Sequence, residues 1–143
     1  MKKKILVITA KWNDLITRSL REGASEFLAS AGVDTVDHVS VPGAYELPLA
    51  AKVAATQKKW DAVICLGCVI KGETDHFDFV AGQASSGIAG VALEHELPVI
   101  FGVLTTNTLE QAMHRAGAKL GNKGAEAAQT AVEMIKTLDT LRS

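Results

Sequence analysis

Short apolar runs rich in β-branched residues alternate along this chain with segments of helical periodicity, and this alternation limits the folds open to it. The runs stand at residues 4–10, 33–41, 62–66 and 99–104. Runs of this length and composition are typical of buried strands. A helical pattern follows each run, so consecutive strands should be parallel and joined by crossover helices. The sequence therefore predicts an α/β fold, a three-layer α-β-α sandwich with a four-stranded parallel sheet, in one domain over residues 1–143.

The helical segments carry start and stop signals. Asn13 or Asp14 is expected to cap the first helix, and Gly32 to end it. The long helix from residue 76 to about 94 contains three glycines, each unfavourable there by about 1 kcal/mol against Ala. Small residues of this kind favour close packing against another helix, for instance one from another subunit. The three glycines are Gly82, Gly87 and Gly90, and further helices are expected at residues 44–57, 107–116 (with a capping box over 107–110) and from the 117–124 loop to about 141.

Composition excludes several classes of protein. A net charge of −1 argues against non-specific binding to nucleic acid, which usually needs a basic face. No apolar run approaches the ~20 residues of a membrane span. The apolar run at residues 5–10 is too short for the core of a signal peptide. We therefore expect a cytoplasmic protein that contacts neither nucleic acid nor membrane.

The two cysteines, Cys65 and Cys68, are spaced as C-x-x-C. A redox pair with this spacing normally opens a helix, where the thiolate is stabilised. A zinc half-site would need a second pair of ligands, and the sequence has no second C-x-x-C. Here the pair spans a strand end and a glycine, so the favoured interpretation is two small apolar residues.

The carboxyl ends of parallel strands are where such sheets bind ligands. The segments expected to meet there are residues 10–13, 41–46, 67–76 and 101–105. Trp12 and Phe101 would each lie at a strand end, where a flat aromatic ring can stack on a heterocycle. Filling of the core is an equally weighted alternative for each ring.

The turn at residues 66–80 has the features of an anion site. Gly67 and Gly72 allow the backbone to bend, and Thr74 or Asp75 can cap the helix that follows. A helix start offers free N–H groups and partial positive charge to an anion. His76 stands at that edge with a side chain that can transfer protons near neutral pH. An ordinary turn with a polar surface histidine remains the alternative.

A second basic segment surrounds the Gly-rich loop at residues 117–124. Arg115, Lys119 and Lys123 suit an anion, although a solvated basic turn has equal weight. The spacing does not fit the phosphate-binding loop G-x-x-x-x-G-K-[ST]. The remaining histidines, His38, His95 and His114, share no metal-ligand spacing and are expected at the surface.

Five blocks of sequence together resemble the lumazine synthase family, in unbroken order over nearly the whole chain. They are WN at 12–13, VPGAYELP at 41–48, LGCVIKGETDHF at 66–77, FGVLTT at 101–106, and EQA through RAG to GNKG over 110–124. Each block is fairly specific, and all five in sequence are very specific. The chain departs from the usual pattern at Trp12, where Phe is commoner, at Cys68, and at Lys71, where Arg is usual.

The resemblance implies a flavodoxin-like fold and a condensation that needs no cofactor and no metal. Its substrates would be 5-amino-6-(D-ribitylamino)uracil and 3,4-dihydroxy-2-butanone 4-phosphate. The products would be 6,7-dimethyl-8-ribityllumazine, phosphate and water, in the penultimate step of riboflavin biosynthesis. A homopentamer with sites at the subunit interfaces is also implied, with a larger assembly left open.

The resemblance also assigns roles to individual residues. His76 would move protons, while Arg115, helped by Lys123, would neutralise phosphate. Phe101 would close the ring pocket from a neighbouring subunit. The other substrate-binding residues implied are Trp12 and Asn13, Ala44, Tyr45 and Glu46, the backbone of Cys68, Val69 and Ile70, and Glu73 and Thr74 at the phosphate.

Two other classes of function stay open at this point. A non-catalytic flavin- or lumazine-binding relative would keep the pocket without turnover, and the presence of His76, Arg115 and Lys123 argues against it. Without the resemblance, a metal hydrolase using Asp75 and His76 is the alternative. Formation of product and a metal analysis would distinguish these readings.

Overall fold

The computed structural model describes residues 2–73, 76–117 and 121–143. Within them, four strands alternate with five α-helices and two short 3₁₀ turns. The strands are β1 (Lys4–Ala10), β2 (Thr35–Val41), β3 (Ala62–Ile70) and β4 (Val99–Thr106). The helices are α1 (Asp14–Ser30), α2 (Leu47–Thr56), α3 (Phe77–His95), α4 (Leu109–Arg115) and α5 (Lys123–Arg142), and the 3₁₀ turns are Ala44–Glu46 and Lys71–Glu73.

The strands form one parallel sheet in the order β2-β1-β3-β4. This confirms the predicted α/β three-layer fold of flavodoxin-like type. The strand order reverses direction between β1 and β3, because the chain goes outward from β1 to β2 and then returns to β3. In sheets of this kind the crevice at the carboxyl ends beside that reversal is the usual ligand site. No helix in the described part of the chain is long and apolar enough to cross a membrane.

Alternating side chains of the strands build two cores, one on each face of the sheet. Helices α1, α4 and α5 cover one face, and α2 and α3 cover the other. The first core includes Ile5, Val7, Ile64, Leu66, Leu20, Leu28, Ala128 and Ile135. The second includes Leu6, Ile8, Val63, Cys65, Leu47, Ile88 and Val91.

Strand β3 is longer than the sequence predicted. We expected it to end at Leu66 and the chain to bend at Gly67, but the strand continues to Ile70. The reason is a partner distant in sequence: β4 pairs with β3 without interruption from Val63–Val99 to Ile70–Thr106. A Cβ atom placed on Gly67 would lie at ordinary contact distance from its neighbours, 3.4 Å or more. Gly67 is therefore a strand residue and not the bend.

One further local prediction needs correction, and another is confirmed for one residue. The capping box of α4 is formed by Thr108 and Gln111, one residue later than predicted. Of the three helix glycines, Gly87 has an explanation within the chain, because a Cβ atom there would lie 2.7 Å from the ring of Pro48 on α2. Gly82 and Gly90 face open space in the described structure, with nothing within 4 Å of a Cβ atom.

Both cysteines are buried within the sheet, and neither is in a disulfide. Cys65 belongs to the core under α2 and α3, whereas Cys68 belongs to the core on the opposite face. An odd separation along a strand points two side chains to opposite faces, so these thiols cannot pair with each other. Burial raises the pKa of Cys65 to about 12, which keeps its thiol protonated and unreactive. The structural interpretation of the C-x-x-C spacing is confirmed.

Helices α1 and α5 meet at backbone distance. A Cβ atom on Gly124, in the first turn of α5, would lie 1.9 Å from the carbonyl oxygen of Leu20 on α1. Backbone atoms cannot swing aside as a side chain can, so residue 124 must be glycine while the two helices keep this separation.

We expect Gly124→Ala to lower the free energy of unfolding by about 3 kcal/mol, because α5 must move away from α1 and loosen the core beneath it. Gln129→Ala is the matched control, since it places the same residue at an exposed position of the same helix. Its expected effect is within about 0.5 kcal/mol. Urea unfolding of both variants measures the difference, and equal stabilities would contradict the close crossing.

Candidate active site

A crevice opens at the carboxyl end of the sheet because the strands end at different levels. The ladder between β1 and β3 stops at Thr9–Leu66, whereas the ladder between β3 and β4 continues to Ile70–Thr106. The last four residues of β3 therefore extend past the paired part of β1. Their edge toward β1 can offer backbone hydrogen-bonding groups to a ligand, as an unpaired strand edge does.

Asn13 crosses this crevice from the end of β1. Its backbone is in the left-handed conformation, with φ 63° and ψ 48°. Its Nδ2 donates to the carbonyl oxygen of Cys68 at 2.9 Å. Asn13 occupies the N-cap position of α1, as predicted, but its side chain makes no capping bond there. The side chain instead fixes the projecting end of β3 relative to β1.

Trp12 forms one wall of the crevice. Its backbone N–H donates to the carbonyl oxygen of Pro42 at 3.0 Å, which fixes the turn after β1 against the turn after β2. A Cβ atom on Gly43 would lie 2.4 Å from the Trp12 ring, so the ring rests directly on glycine backbone. The side chain is 65% exposed, and a large aromatic ring held in place yet open to solvent suits stacking on a planar ligand.

Three polar or small residues follow Gly43 in the turn after β2. Ala44 is buried, whereas Tyr45 is 55% exposed. Glu46 accepts a hydrogen bond through Oε1 from the N–H of Gly43 at 2.9 Å. Within the described residues Oε2 has no partner. The carboxylate is thus oriented by its own turn while one oxygen remains available for a hydroxyl group.

His76 lies at the N-cap position of α3, and its side chain is exposed. Its carbonyl oxygen accepts from the N–H of Val80 at 2.9 Å, which anchors it to the first turn. Thr74 and Asp75, predicted as caps, lie outside the described residues. The 3₁₀ turn Lys71–Glu73 lies against the residue that follows β4. A Cβ atom on Gly72 would lie 3.4 Å from the carbonyl oxygen of Asn107.

A polar cavity of about 300 Å³ lies at the end of β4. Arg115, the last residue of α4, is half-buried in its wall. The capping box of Thr108 and Gln111 shapes the adjoining turn, since Gln111 Oε1 accepts from the N–H of Asn107 at 2.8 Å. This box lies one residue later than predicted, although the T-x-x-Q pattern at 108–111 could have placed it. The cavity is lined by Thr105, Thr106, Asn107, Gln111, His114 and Arg115.

The histidines expected at the surface divide into two groups. His38 is exposed, as predicted. His95 and His114 are half-buried, and His114 lines the Arg115 cavity. Among the described residues, no three His, Cys, Asp or Glu side chains are grouped closely enough to hold a metal ion. The Asp75 of the metal-hydrolase alternative lies outside those residues.

The second basic group follows on α5. Lys123, its first residue, is half-buried, and Asn122 caps the helix by accepting from the N–H of Ala125 at 3.0 Å. An isolated bridge between Ala116 and Asn122 brings this helix start next to the end of α4. Arg115 and Lys123 therefore extend from two adjoining backbone segments. Lys119 lies outside the described residues.

Phe101 is not at a strand end, and that prediction was wrong. It is the third residue of β4, in register with Cys65, and packs partly against the core under α2 and α3. Trp12 lies beyond the end of β1, two strands away. With strands spaced ~4.8 Å apart and ~3.3 Å of rise per residue, the two rings are separated by more than about 10 Å. One chain does not bring them into a single pocket.

The sequence is similar to known proteins over nearly its whole length. The family model for 6,7-dimethyl-8-ribityllumazine synthase matches residues 2–139. The protein of that name from Protochlamydia amoebophila (strain UWE25) is 50% identical over 142 residues, which cover 98% of this chain and 83% of that protein. The match includes every segment that forms the crevice. The chain belongs to the 6,7-dimethyl-8-ribityllumazine synthase family.

Proposed function

We propose that this chain condenses 5-amino-6-(D-ribitylamino)uracil with 3,4-dihydroxy-2-butanone 4-phosphate to 6,7-dimethyl-8-ribityllumazine, phosphate and water. This is the penultimate step of riboflavin biosynthesis, and the chain acts as a transferase. The observation that carries the proposal is the family match over residues 2–139, which spans all the crevice segments. We take the whole chain as one domain, and its two buried cysteines, neither in a disulfide, suit a reducing compartment such as the cytoplasm.

The chemistry makes modest demands on the protein. The pyrimidine substrate supplies its own amine nucleophile, which attacks the ketone and forms an imine with loss of water. Phosphate then leaves with loss of a carbon-bound proton, and the enol so formed becomes a ketone. The second amine attacks this ketone and closes the ring with loss of a second water. The protein must hold two molecules in register, transfer protons and stabilise the leaving anion. None of these tasks requires a nucleophilic side chain, a metal or a cofactor.

The pyrimidine binds in the crevice at the end of β1. The exposed ring of Trp12 stacks on it from one side. The projecting end of β3, at Cys68, Val69 and Ile70, offers it backbone groups, and Asn13 keeps that segment in place through its bond to Cys68. Glu46 accepts from the ribityl hydroxyls through its remaining oxygen. Ala44 and Tyr45 complete the wall along the ribityl chain.

The phosphate of the second substrate lies between the β3–α3 turn and the basic residues. Glu73 and Thr74 are the residues expected to contact it there, although Thr74 lies outside the described residues, and the start of α3 adds partial positive charge. Arg115 provides a planar guanidinium suited to two phosphate oxygens, and Lys123 adds a second positive charge. His76, at the N-cap of the same helix, transfers protons to and from the reacting atoms.

The site is shared between chains of a homo-oligomer, in which a cyclic pentamer is the basic unit. Trp12 and Phe101 are too far apart to enclose one ring within a chain, and Phe101 lies on β4, an edge strand that a neighbour can reach. The open surfaces at Gly82 and Gly90 on α3 give a neighbouring backbone room to approach. Trp12 and His76 then come from one subunit, and Phe101, Arg115 and Lys123 from the next.

The direct test is incubation of the purified chain with both substrates while the lumazine product is followed by its fluorescence. The amine and ketone react with each other unaided, so the control is the same mixture without protein. We expect a rate well above this background and release of one phosphate per lumazine. A rate equal to background would contradict the proposed function.

We expect His76→Ala to slow lumazine formation without unfolding the chain. Loss of a positioned proton carrier typically reduces the rate by about 10²–10⁴-fold, and the intrinsic reactivity of the substrates places this variant at the lower end. His38→Ala is the control, because it removes an exposed histidine from β2, away from the crevice. If both variants turn over like the parent protein, His76 has no role in proton transfer.

Mixing two inactive variants tests the shared site. Trp12→Ala and Arg115→Ala chains are each expected to be nearly inactive, since one loses the stacking surface and the other the phosphate partner. When the two are unfolded, mixed equally and reassembled, about one quarter of the sites in a ring should combine both intact halves. Activity should therefore return in assemblies whose mixed composition is verified by mass. Mixed assemblies as inactive as the parents would place the site within one chain.

A further inference from the structure

Asn122 uses its whole side-chain amide within the protein. Its Nδ2 donates to the carbonyl oxygen of Ser19 at 3.0 Å and to that of Ala116 at 3.3 Å. Its Oδ1 accepts from the N–H of Ala125 at 3.0 Å. One half-buried side chain thus joins three backbone segments: the middle of α1, the end of α4 and the start of α5.

The sequence of α1 makes this contact possible. A helical side chain covers the turn that precedes its own Cα, so a side chain at position 23 would cover the carbonyl group of Ser19. Position 23 is glycine, and a Cβ atom there would lie 2.4 Å from Cγ and Oδ1 of Asn122. Gly23 therefore opens the backbone of α1 to the amide. Leu20 directly follows Ser19, and the close approach of Gly124 to Leu20 holds the start of α5 at the same place on α1.

The two segments that Asn122 joins carry the two cations proposed to bind phosphate. Arg115 directly precedes Ala116, whose carbonyl oxygen accepts from Asn122. Lys123 directly follows Asn122. The bridge between Ala116 and Asn122 sets the separation of the two backbone segments, and the bond to Ser19 fixes both against α1.

We propose that Asn122 is a positioning residue that sets the geometry of Arg115 and Lys123 for a phosphate group. This rests on the proposed function, in which these two cations neutralise the phosphate of the butanone substrate. Binding a phosphate with two long side chains requires ordering both, and backbone segments fixed in advance reduce that loss of freedom. Asn122 touches no substrate in this role. It acts through Arg115, which precedes Ala116, and through Lys123, which follows Asn122.

Asn122→Ser separates the positioning role from helix capping. Serine still accepts from the N–H of Ala125 as an N-cap, but it has no donor that reaches Ser19 and Ala116. We expect the KM for the butanone phosphate, and the inhibition constant of inorganic phosphate, to rise by about 3- to 10-fold, the size of one or two lost hydrogen bonds. The KM for the pyrimidine should change less than twofold.

A second variant leaves Asn122 chemically intact. Gly23→Ala puts a methyl group where the amide now lies, so it should displace Asn122 and reproduce the phosphate-specific effect. The control is Trp60→Phe, which removes a part-buried hydrogen bond of 2.8 Å to Asp37 at the opposite end of the sheet. Its KM values should both stay at the parent level. Thermal unfolding of all three variants shows which proteins are folded at the assay temperature.

The outcomes separate this proposal from the function on which it rests. The proposal is overturned if a folded Asn122→Ser or Gly23→Ala protein keeps the parent KM for the butanone phosphate while Arg115→Ala raises it. It is also overturned if the KM for the butanone phosphate and the KM for the pyrimidine rise equally, because a general loosening of the fold would raise both. If the parent forms no lumazine, the proposed function fails. Titration with inorganic phosphate then still tests whether Asn122→Ser weakens anion binding.

Discussion

The pairing of β3 with β4 beyond the end of β1 is the interaction on which the rest of the site depends. It extends β3 to Ile70 and leaves the β1 side of its last residues beside a crevice. If β1 paired with β3 as far as Ile70, the backbone at Cys68 would be covered by β1. Asn13 could then not donate to the carbonyl oxygen of Cys68. The same extension carries the following turn to the end of β4, where Gly72 lies next to Asn107. The wall proposed for the pyrimidine and the turn proposed for the phosphate thus share one structural origin.

Glycines set the positions of both halves of the proposed site by allowing contacts that a Cβ atom would prevent. Gly43 lets the Trp12 ring rest on the turn after β2. Gly23 lets the amide of Asn122 reach the backbone of α1, and Gly124 lets α5 approach the same helix. In each case the residue that approaches the glycine belongs to a larger element of the fold, which holds it in place. The geometry of exposed functional residues therefore depends on the packing of the helices and turns beneath them.

The strands and helices were predictable because their signals are local: apolar runs, helical periodicity and end residues lie within a few positions of one another. The length of β3 was not, because its last residues are held by β4, more than thirty positions away in sequence. Strand β4 also runs past its predicted end, to Thr106, because its last residues pair with β3. The misplacement of Phe101 has another cause, since residue 101 is already the third position of the predicted run at 99–104.

The site residues show a similar division. Trp12, Glu46 and His76 stand at strand-to-helix turns, which a pattern of strands and helices already identifies. Asn13 was recognised as a helix-start residue, but its side chain serves a contact across the sheet that local sequence does not encode. Asn122 was seen only as part of a Gly-rich loop. Its bond to Ser19 joins elements 103 positions apart, whereas its bonds to Ala116 and Ala125 are local in sequence.

A crystal structure of the assembled protein with the lumazine product and inorganic phosphate tests the central claim most directly. The account predicts that the ring lies between Trp12 of one subunit and Phe101 of its neighbour, with phosphate within hydrogen-bonding distance of Arg115 and close to His76. The claim would be contradicted by a ring bound away from Trp12, or by a ring and phosphate held entirely by residues of one chain.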